Sequence, residues 1–313
     1  MSNVTPTRVS LMVVIVLYRL RPSESVSFQT LMQSARETPG QALHLNVLLY
    51  DNTPGARRPA DLPESVLFHQ ASRNVGLAEA YNFALDIGEA AGCSWLLTLD
   101  QDTSLPNGIL RRMTTLAQQF SEDPSVAGIV PQLVEQGVVQ SPLYVQRWGS
   151  RRLPLGYSGF PEREITAMNS CSMWSIPHLR AIGNFDQNFW LDYLDYVLYH
   201  RTFRSGRRVY VSGDIRVEHQ LSLADWKGRL SPERLQNIFL AESAFNDLYK
   251  GSLDRLLANL KLLLLLLKRK YKAEQPEFLR VIRAELIRRL LKSRRLRLAT
   301  WRHLAELRGR KDL

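Results

Sequence analysis

Apolar residues in the first hundred positions fall into four short runs, separated by segments with the composition of helices or turns. The first run, VSLMVVIVLY, is continuous rather than alternating, as expected for a parallel strand that is covered on both faces. The predicted strands are Val9–Tyr18, Leu45–Tyr50, Val66–His69 and Ser94–Leu99, and the predicted helices are Ser25–Arg36 and Gly76–Ala90. Strands that alternate with helices predict βαβ units and an α/β fold with a mostly parallel central sheet flanked by helices.

The pattern continues less regularly up to about residue 212. Helices are predicted at Ile109–Phe120, Pro177–Ile182 and Phe189–Arg204, and strands at Val126–Pro131, Ala167–Ile176 and Arg208–Ser212. Between these elements, Val138–Arg163 is rich in Gly, Pro, Ser and Arg and is predicted to be irregular. A long irregular segment inside a compact domain is typically functional or disordered.

Three predicted strands end in residues suited to binding, namely Tyr18, Asp51 and Asp100. Ligands of parallel α/β sheets bind beyond the carboxyl ends of the strands, so these residues indicate a site. Asp102 lies two positions after Asp100 in LLTLDQDT, and residues i and i+2 of an extended chain point to the same side. Paired carboxylates favour a hard divalent cation such as Mg²⁺ or Mn²⁺. On its own, however, D-x-D is more typical of a strand that ends in a solvated turn than of a cation site.

Composition limits the class of protein. The chain has 313 residues and is 45% hydrophobic, which is enough for a large core. Its two cysteines exclude a disulfide framework and favour a reducing compartment, so we expect a cytoplasmic protein. The six histidines show no spacing typical of a structural zinc site.

The net charge of +11 is concentrated at the C-terminal end, where residues 268–313 hold 16 Lys or Arg and 5 Asp or Glu. Before them, Leu253–Leu267 is very rich in leucine, but its longest apolar run, Leu262–Leu267, is far shorter than the roughly 20 residues that span a bilayer. Leucines at helical spacing among arginines predict amphipathic helices that either bind the inner membrane surface peripherally or pack on the catalytic domain or a partner subunit. The tail lacks the interleaved aromatic residues of a nucleic-acid platform, so we expect no nucleic-acid partner.

Four motifs in order resemble the inverting family 2 glycosyltransferases of the GT-A fold. They are VIVLY at Val14–Tyr18, YDNT at Tyr50–Thr53, RNVGLAEAYNFAL with Asn74, Gly76 and Asn82, and LDQDT with Asp100 and Asp102. Downstream, GNFDQNFWLDYLDYVLYHR at Gly183–Arg201 is similar to the family's GxFDExFFxxxED segment. The resemblance covers about residues 9–225, and LTLDQD followed by D-x-x-D looks most like the rhamnosyltransferase branch, which uses dTDP-L-rhamnose.

The resemblance implies a role for each residue that binds the nucleotide sugar. Asp51 would accept a hydrogen bond from a pyrimidine N–H, Tyr18 would pack on the base, and Asp100 would contact the ribose. Asp102 would hold the Mg²⁺ or Mn²⁺ that neutralises the leaving diphosphate. Asn74, Gly76 and Asn82 would contact the nucleotide sugar, with Gly76 allowing close backbone approach. The alternative for Asn74 and Gly76 is an ordinary helix entry.

The resemblance also places the general base on Asp195, where inversion needs one carboxylate near the acceptor hydroxyl. The family's neighbouring Glu is Leu194 here, whereas Asp192 supplies a carboxylate three residues earlier and is the second candidate. On a helix the two would share one face, so a like charge could raise the pKa of either. His219 in EHQLS resembles the family's histidine near the diphosphate or metal, with a structural role as its alternative.

The sequence thus predicts a GT-A catalytic domain over residues 1–225, with a nucleotide-binding half to about 103 and an acceptor half from about 104, followed by a basic helical region over 226–313. The predicted activity is metal-dependent transfer of rhamnose, or of another sugar from a UDP donor, to a lipid-linked or cell-surface polysaccharide acceptor. Two alternatives are a non-catalytic assembly protein on a degenerate glycosyltransferase fold and a sugar nucleotidyltransferase. The second would need a glycine in the loop after the first strand, where LYRLRPSES has none.

Overall fold

The computed structural model describes residues 8–38, 40, 42–218, 230–272 and 275–308, which form eleven strands and nine helices. The strands are β1 (Val9–Leu17), β2 (Leu43–Asp51), β3 (Val66–Gln70), β4 (Trp95–Asp100), β5 (Val126–Glu135), β6 (Val138–Ser141), β7 (Leu143–Gln146), β8 (Gly149–Arg152), β9 (Ile165–Thr166), β10 (Ser172–Ser175) and β11 (Arg208–Glu218). The helices are α1 (Val26–Arg36), α2 (Gly76–Ala90), α3 (Ile109–Gln119), α4 (Ile176–Ala181), α5 (Leu194–Arg204), α6 (Pro232–Tyr249), α7 (Ser252–Tyr271), α8 (Pro276–Leu291) and α9 (Arg294–Arg308).

The central sheet has the strand order β3–β2–β1–β4–β10–β5–β11, with β6 paired to β5. Strands β3, β2, β1 and β4 are parallel, as are β5 and β11, while β10 is antiparallel to both of its neighbours. In this register Val16 lies opposite Asp100, and Leu17 lies opposite Asp51. The ends of β2, β1 and β4 therefore meet at one edge, as the strand-end argument predicted.

Helices cover both faces of this sheet, and β1 shows why its apolar run is continuous. Met12 and Val14 belong to a core cluster that includes α2, whereas Val13 and Ile15 belong to a second cluster that includes α1 and α3. Each of these four side chains is fully buried. A strand buried on both sides cannot carry the polar alternation of a half-exposed strand.

Three predicted elements are wrong in part. Only Ser172–Ser175 of the strand predicted over Ala167–Ile176 is a strand, and Cys171 before it has a left-handed backbone with φ of 65°. Val138–Arg163 is not irregular throughout, because β6, β7 and β8 lie within it and β7 pairs with β8 and β9 in a small second sheet. The helix predicted over Phe189–Arg204 begins only at Leu194, because Tyr193 adopts a left-handed backbone with φ of 62°. Asp192 therefore precedes the helix, and the argument that it shares a helix face with Asp195 is wrong.

The C-terminal helices pack on the α/β body that contains the central sheet. Trp301 of α9 is 4% exposed and belongs to the main core cluster, with its ring 5.6 Å from that of Phe189. Arg297 of α9 binds Asp247 of α6 at 2.6 Å. In the portion of the chain that the structure covers, no helix is long and apolar enough to cross a membrane. The predicted domain boundary at residue 225 falls within 219–229, outside the described residues.

Candidate active site

A cavity of about 470 Å³ opens at the carboxyl ends of β1 and β4. The cavity is lined by residues from the α/β body and from helix α6, which follows that body in sequence. The predicted site residues that line it are Tyr18, Asn74, Gly76, Asp100, Asp102, Asp192 and Asp195. The structure thus brings together seven residues that are spread over 178 positions of the sequence.

Backbone and hydroxyl contacts hold the loop that carries Asp100 and Asp102. The Ser27 hydroxyl at the start of α1 donates to the Asp100 carbonyl at 2.5 Å and accepts from the Thr103 N–H at 2.8 Å. Between the two aspartates, the Gln101 side-chain oxygen accepts from the Tyr18 N–H at 2.8 Å. These contacts tie the loop to the end of β1 without using either carboxylate, so both remain available to a ligand.

Negative charge accumulates at this cavity. Burial, together with the charges of Asp102 and Asp195, raises the pKa of Asp100 to about 7. Burial also raises the pKa of Asp195 to about 6, although the Tyr196 N–H, which donates to it at 2.8 Å, acts in the opposite direction. Among the described residues, neither Asp100 nor Asp102 forms an ion pair with a basic side chain, and no group of three or more His, Cys, Asp or Glu side chains is placed to hold a metal.

Asp192 is in a different situation from Asp195, although both line the cavity. Its carboxylate lies 2.8 Å from the guanidinium of Arg234, which is the third residue of α6. The Asp192 side chain is only 8% exposed. The first residues of the C-terminal helical region therefore supply a cation to a cavity whose other charged groups are acidic.

Gly76 is required where the loop before α5 meets α2. The Trp190 carbonyl accepts from the N–H groups of Leu77 and Ala78 at 2.7 and 3.3 Å and so satisfies donors at the start of α2. Gly76 has φ of +82°, and a Cβ there would lie 2.5 Å from the Trp190 oxygen. Asn74 accepts from the Gly76 N–H at 3.1 Å. Asn74 and Gly76 thus lie at the start of helix α2 and also line the cavity, so the two alternatives predicted for them do not exclude each other.

Three predicted site residues are not part of this cavity lining in the described structure. Asp51 is 5% exposed at the end of β2 and accepts from the Thr53 N–H at 2.8 Å. Asn82 makes two hydrogen bonds to the backbone of Phe185, at 2.9 and 3.0 Å, and so fixes the segment that leads to Asp192 and Asp195. His219 lies outside the described residues.

The lining residues that sequence reasoning missed include Asn52, Asn169 and Arg234. The Asn52 side chain donates to the Gly76 carbonyl and accepts from the Val75 N–H. Its place in the YDNT motif could have identified it as a site residue. Asn169 is 8% exposed, and its side-chain oxygen finds no hydrogen-bond partner in the described part of the chain, so it can accept from a ligand hydroxyl. No sequence pattern predicted that Arg234 belongs to the site, because its ion pair with Asp192 joins distant parts of the chain.

Solved structures with a similar fold were found. GalNAc-T7, solved with UDP, GalNAc and Mn²⁺, matches with a TM-score of 0.54 and 15% identity, over 78% of this chain and 49% of that one. S. aureus TarS matches with a TM-score of 0.50 and 14% identity, over 96% and 54% of the two chains. TarS 1–349 in complex with UDP also matches with a TM-score of 0.50, over 96% of this chain and 88% of that one.

The chain spans about half the length of GalNAc-T7 and of the longer TarS chain. No protein-family model and no curated protein matches the sequence. The structural similarity confirms the predicted fold class, a GT-A fold with a mostly parallel central sheet flanked by helices.

Proposed function

We propose that the chain is an inverting, metal-dependent glycosyltransferase that moves a sugar from a nucleotide donor to a lipid-linked or cell-surface polysaccharide acceptor. One observation carries this proposal: Asp100, Asp102 and Asp195 line one cavity at the carboxyl ends of adjacent strands in a GT-A sheet. Carboxylates with raised pKa values in a cleft are typical of catalytic sites. The similarity to GT-A structures solved with UDP supports the same class of donor.

Asp195 is the general base in this proposal. With a pKa of about 6 it is deprotonated at neutral pH and still basic enough to accept a proton in the transition state. Asp192 would have to give up its ion pair with Arg234 to do the same. Asp195 takes the proton of the acceptor hydroxyl, whose oxygen attacks the anomeric carbon from the face opposite the departing diphosphate.

The residues present fit a divalent cation. Asp102 is an exposed residue of the cavity lining, and its carboxylate oxygens are hard ligands of the kind that Mg²⁺ and Mn²⁺ prefer. A bound cation would offset the negative charge that raises the pKa of Asp100, and it would neutralise charge on the leaving diphosphate. Asp102 would hold this cation, with His219 as the second predicted ligand.

The donor is proposed to be dTDP-L-rhamnose, with a UDP-sugar as the alternative. The LTLDQD and D-x-x-D motifs support rhamnose, whereas the structures solved with UDP support a pyrimidine nucleotide in general. Tyr18 lines the cavity and can pack on the base, with Asp51 at the neighbouring strand end to accept its N–H. Asp100 would contact the ribose, and Asn74 lines the same cavity.

Nucleoside diphosphate release tests the proposal. We expect the full chain to release dTDP or UDP from a sugar nucleotide when Mn²⁺ or Mg²⁺ is present, and chelation to abolish the release. Asp102→Asn should lower the rate by about 100-fold or more, because it removes charge from the proposed metal ligand. Asp123→Asn, at an exposed aspartate paired with Arg208 outside the cavity, should leave the rate unchanged. If no sugar nucleotide is turned over and none raises the melting temperature, the non-catalytic alternative is favoured.

The outer face of α7 supports the proposed contact with a membrane surface. This outer face is the row of exposed leucines Leu253, Leu256, Leu260, Leu263, Leu264 and Leu267. Leu256 is 63% exposed and Leu267 is 54% exposed, and the last turn of the helix carries Lys268, Arg269 and Lys270. Apolar side chains followed by a basic cluster suit the boundary of an anionic bilayer.

Vesicle sedimentation tests this contact. The full chain should bind vesicles of phosphatidylethanolamine and phosphatidylglycerol more strongly than vesicles of phosphatidylcholine alone. The triple variant Leu256→Glu, Leu260→Glu and Leu267→Glu should lower the partition coefficient by about ten-fold or more, because the lost apolar contacts are worth about 1.5–3 kcal/mol each when fully buried. Leu155→Glu, at a leucine that is 50% exposed elsewhere, is the control. Equal binding by the triple variant, or loss of self-association instead, would contradict the membrane role.

A further inference from the structure

A second cavity, of about 380 Å³, adjoins the candidate active site. Tyr193 and Tyr196 line both cavities, and they flank the proposed base Asp195 in the sequence. Both volumes fall in the range of about 300–1,000 Å³ that is usual for ligand pockets. The two cavities therefore share a wall formed by Tyr193 and Tyr196, next to the proposed base.

Three elements form the walls of this second cavity. One wall is the β7–β8 hairpin, and the other consists of α6 and α7. Arg147 in the hairpin turn binds Asp254 of α7 at 2.9 Å, and Lys261 of α7 donates to the Arg147 carbonyl at 3.1 Å. Lys261 also lies 5.2 Å from the centre of the Trp148 ring. These contacts hold the hairpin and α7 against each other, so they fix the positions of two of the cavity's walls.

The floor of the cavity is aromatic. The rings of Tyr193 and Tyr196 are stacked with centres 4.7 Å apart, and Phe245 of α6 lies 5.7 Å from Tyr193. Burial raises the pKa of Tyr196 to about 12, so its hydroxyl remains a hydrogen-bond donor at neutral pH. Rings with an apolar body and a polar tip suit a ligand that has both apolar faces and hydroxyl groups.

The charges in the lining are balanced. Glu164 lies 2.7 Å from His200 and 3.8 Å from Lys250, Glu242 lies 2.8 Å from Arg289, and Asp254 is bound by Arg147. Asn246 also lines the cavity, and its side-chain amide makes no hydrogen bond within the described residues. Such a lining offers hydrogen bonds and aromatic surface without a strong field of either sign, so it favours an uncharged ligand rich in hydroxyl groups.

We infer that the second cavity is the acceptor subsite and that it binds the sugar residues behind the reacting hydroxyl of an uncharged oligosaccharide chain. The inference rests on the proposed glycosyltransferase function. It assigns the acceptor contacts to Asn246 of α6 and to Ala258 and Lys261 of α7, which belong to the C-terminal helical region. The acceptor is accordingly longer than one sugar residue.

Comparison of sugar transfer with donor hydrolysis tests the inference. The assay supplies a radiolabelled sugar nucleotide and a membrane and polysaccharide extract of the producing cells to the full chain. Label incorporated into the extract measures transfer, and free labelled sugar formed without the extract measures hydrolysis. Ala258→Trp fills the second cavity, and Asn246→Ala removes an amide from its lining. Each variant should lower transfer by about ten-fold or more, which is the usual effect of losing packing or a hydrogen bond to a substrate. Hydrolysis, which needs only the first cavity, should stay within about two-fold.

The control is Ala284→Trp, which adds the same bulk at an exposed residue of α8 and should change neither rate. Ala258 is buried, so a tryptophan there can also unfold the chain. Asn246→Ala only shortens a half-buried side chain, so a loss of transfer in this variant reports on the cavity and not on unfolding. Unchanged transfer in Asn246→Ala and Ala258→Trp would overturn the inference. Hydrolysis by the wild-type chain without any transfer to the extract would also overturn it. Absence of both hydrolysis and transfer would instead refute the proposed function.

Discussion

Replacing Asp195 with asparagine should lower sugar transfer by about 100- to 10,000-fold, the usual contribution of a positioned general base. Asparagine has nearly the same shape as aspartate and can still accept from the Tyr196 N–H, so the start of α5 should remain intact. It has no carboxylate to take the proton of the acceptor hydroxyl. The affinity for the nucleotide sugar should therefore stay unchanged while kcat falls, and donor titration together with initial rates measures both.

The pH dependence of sugar transfer provides a second test of Asp195 as the general base. Burial raises the pKa of Asp195 to about 6, and the active form is the deprotonated one. The kcat/KM for transfer should therefore be constant above about pH 7 and fall as the pH drops through 6. In Asp195→Asn the residual activity should lose this acidic limb.

The control is Asp86→Asn, at an exposed aspartate that pairs with Arg180 and lies outside the lining of the cavity. Its rate and pH profile should match those of the wild type. If Asp192→Asn removed the acidic limb and Asp195→Asn kept it, the base would be Asp192. That outcome would also require Asp192 to act as a base despite its ion pair with Arg234.

The parts of the fold that could be predicted from sequence are those set by local pattern. Continuous apolar runs located β1, β2 and β4, because both faces of each strand are covered by helices. The position of Asp51 and Asp100 at the ends of the two strands that flank β1 followed from parallel topology alone. The cavity confirms that Tyr18, Asp100 and Asp102 share one edge of the sheet, whereas their individual roles stay predictions.

The parts that could not be predicted depend on contacts between distant segments. The apolar spacing of Phe189–Arg204 is helical, but the Trp190 carbonyl caps α2 instead of entering a helix, and Tyr193 takes a left-handed conformation. Arg234 reaches Asp192 across 42 positions of sequence. A pattern read along the chain records propensity, and tertiary hydrogen bonds override it here.

Helix α7 has two faces with different surroundings. Ala258 and Lys261 line the proposed acceptor cavity, whereas Leu256, Leu260 and Leu267 are exposed on the opposite side of the helix. If both proposals hold, a lipid-linked acceptor would place its sugars in the cavity while its lipid remained in the adjacent bilayer. The leucine-rich composition of α7 then has two causes: its buried leucines pack against α6 and α8, and its exposed leucines contact lipid.

Replacing Gly76 with alanine should lower the free energy of unfolding by about 2–5 kcal/mol, the sum of two separate costs. A left-handed φ of +82° costs a non-glycine residue about 1–2 kcal/mol. The added Cβ would also meet the Trp190 carbonyl at 2.5 Å and the Trp190 ring at 2.7 Å, and such overpacking typically costs about 1–3 kcal/mol. Chemical denaturation monitored by circular dichroism measures the sum.

Gly92→Ala separates these two costs. Gly92 follows α2 with φ of +69°, and a Cβ there would meet nothing within 4 Å, so this variant should lose only the backbone part, about 1–2 kcal/mol. It should also keep full activity, because Gly92 lies outside the lining of the cavity. Gly76→Ala should lose activity even at temperatures where it is fully folded, because relief of the clash moves Trp190 and with it Asp192. Equal stability losses and equal activities in the two variants would show that the contact between Gly76 and Trp190 does not position the site.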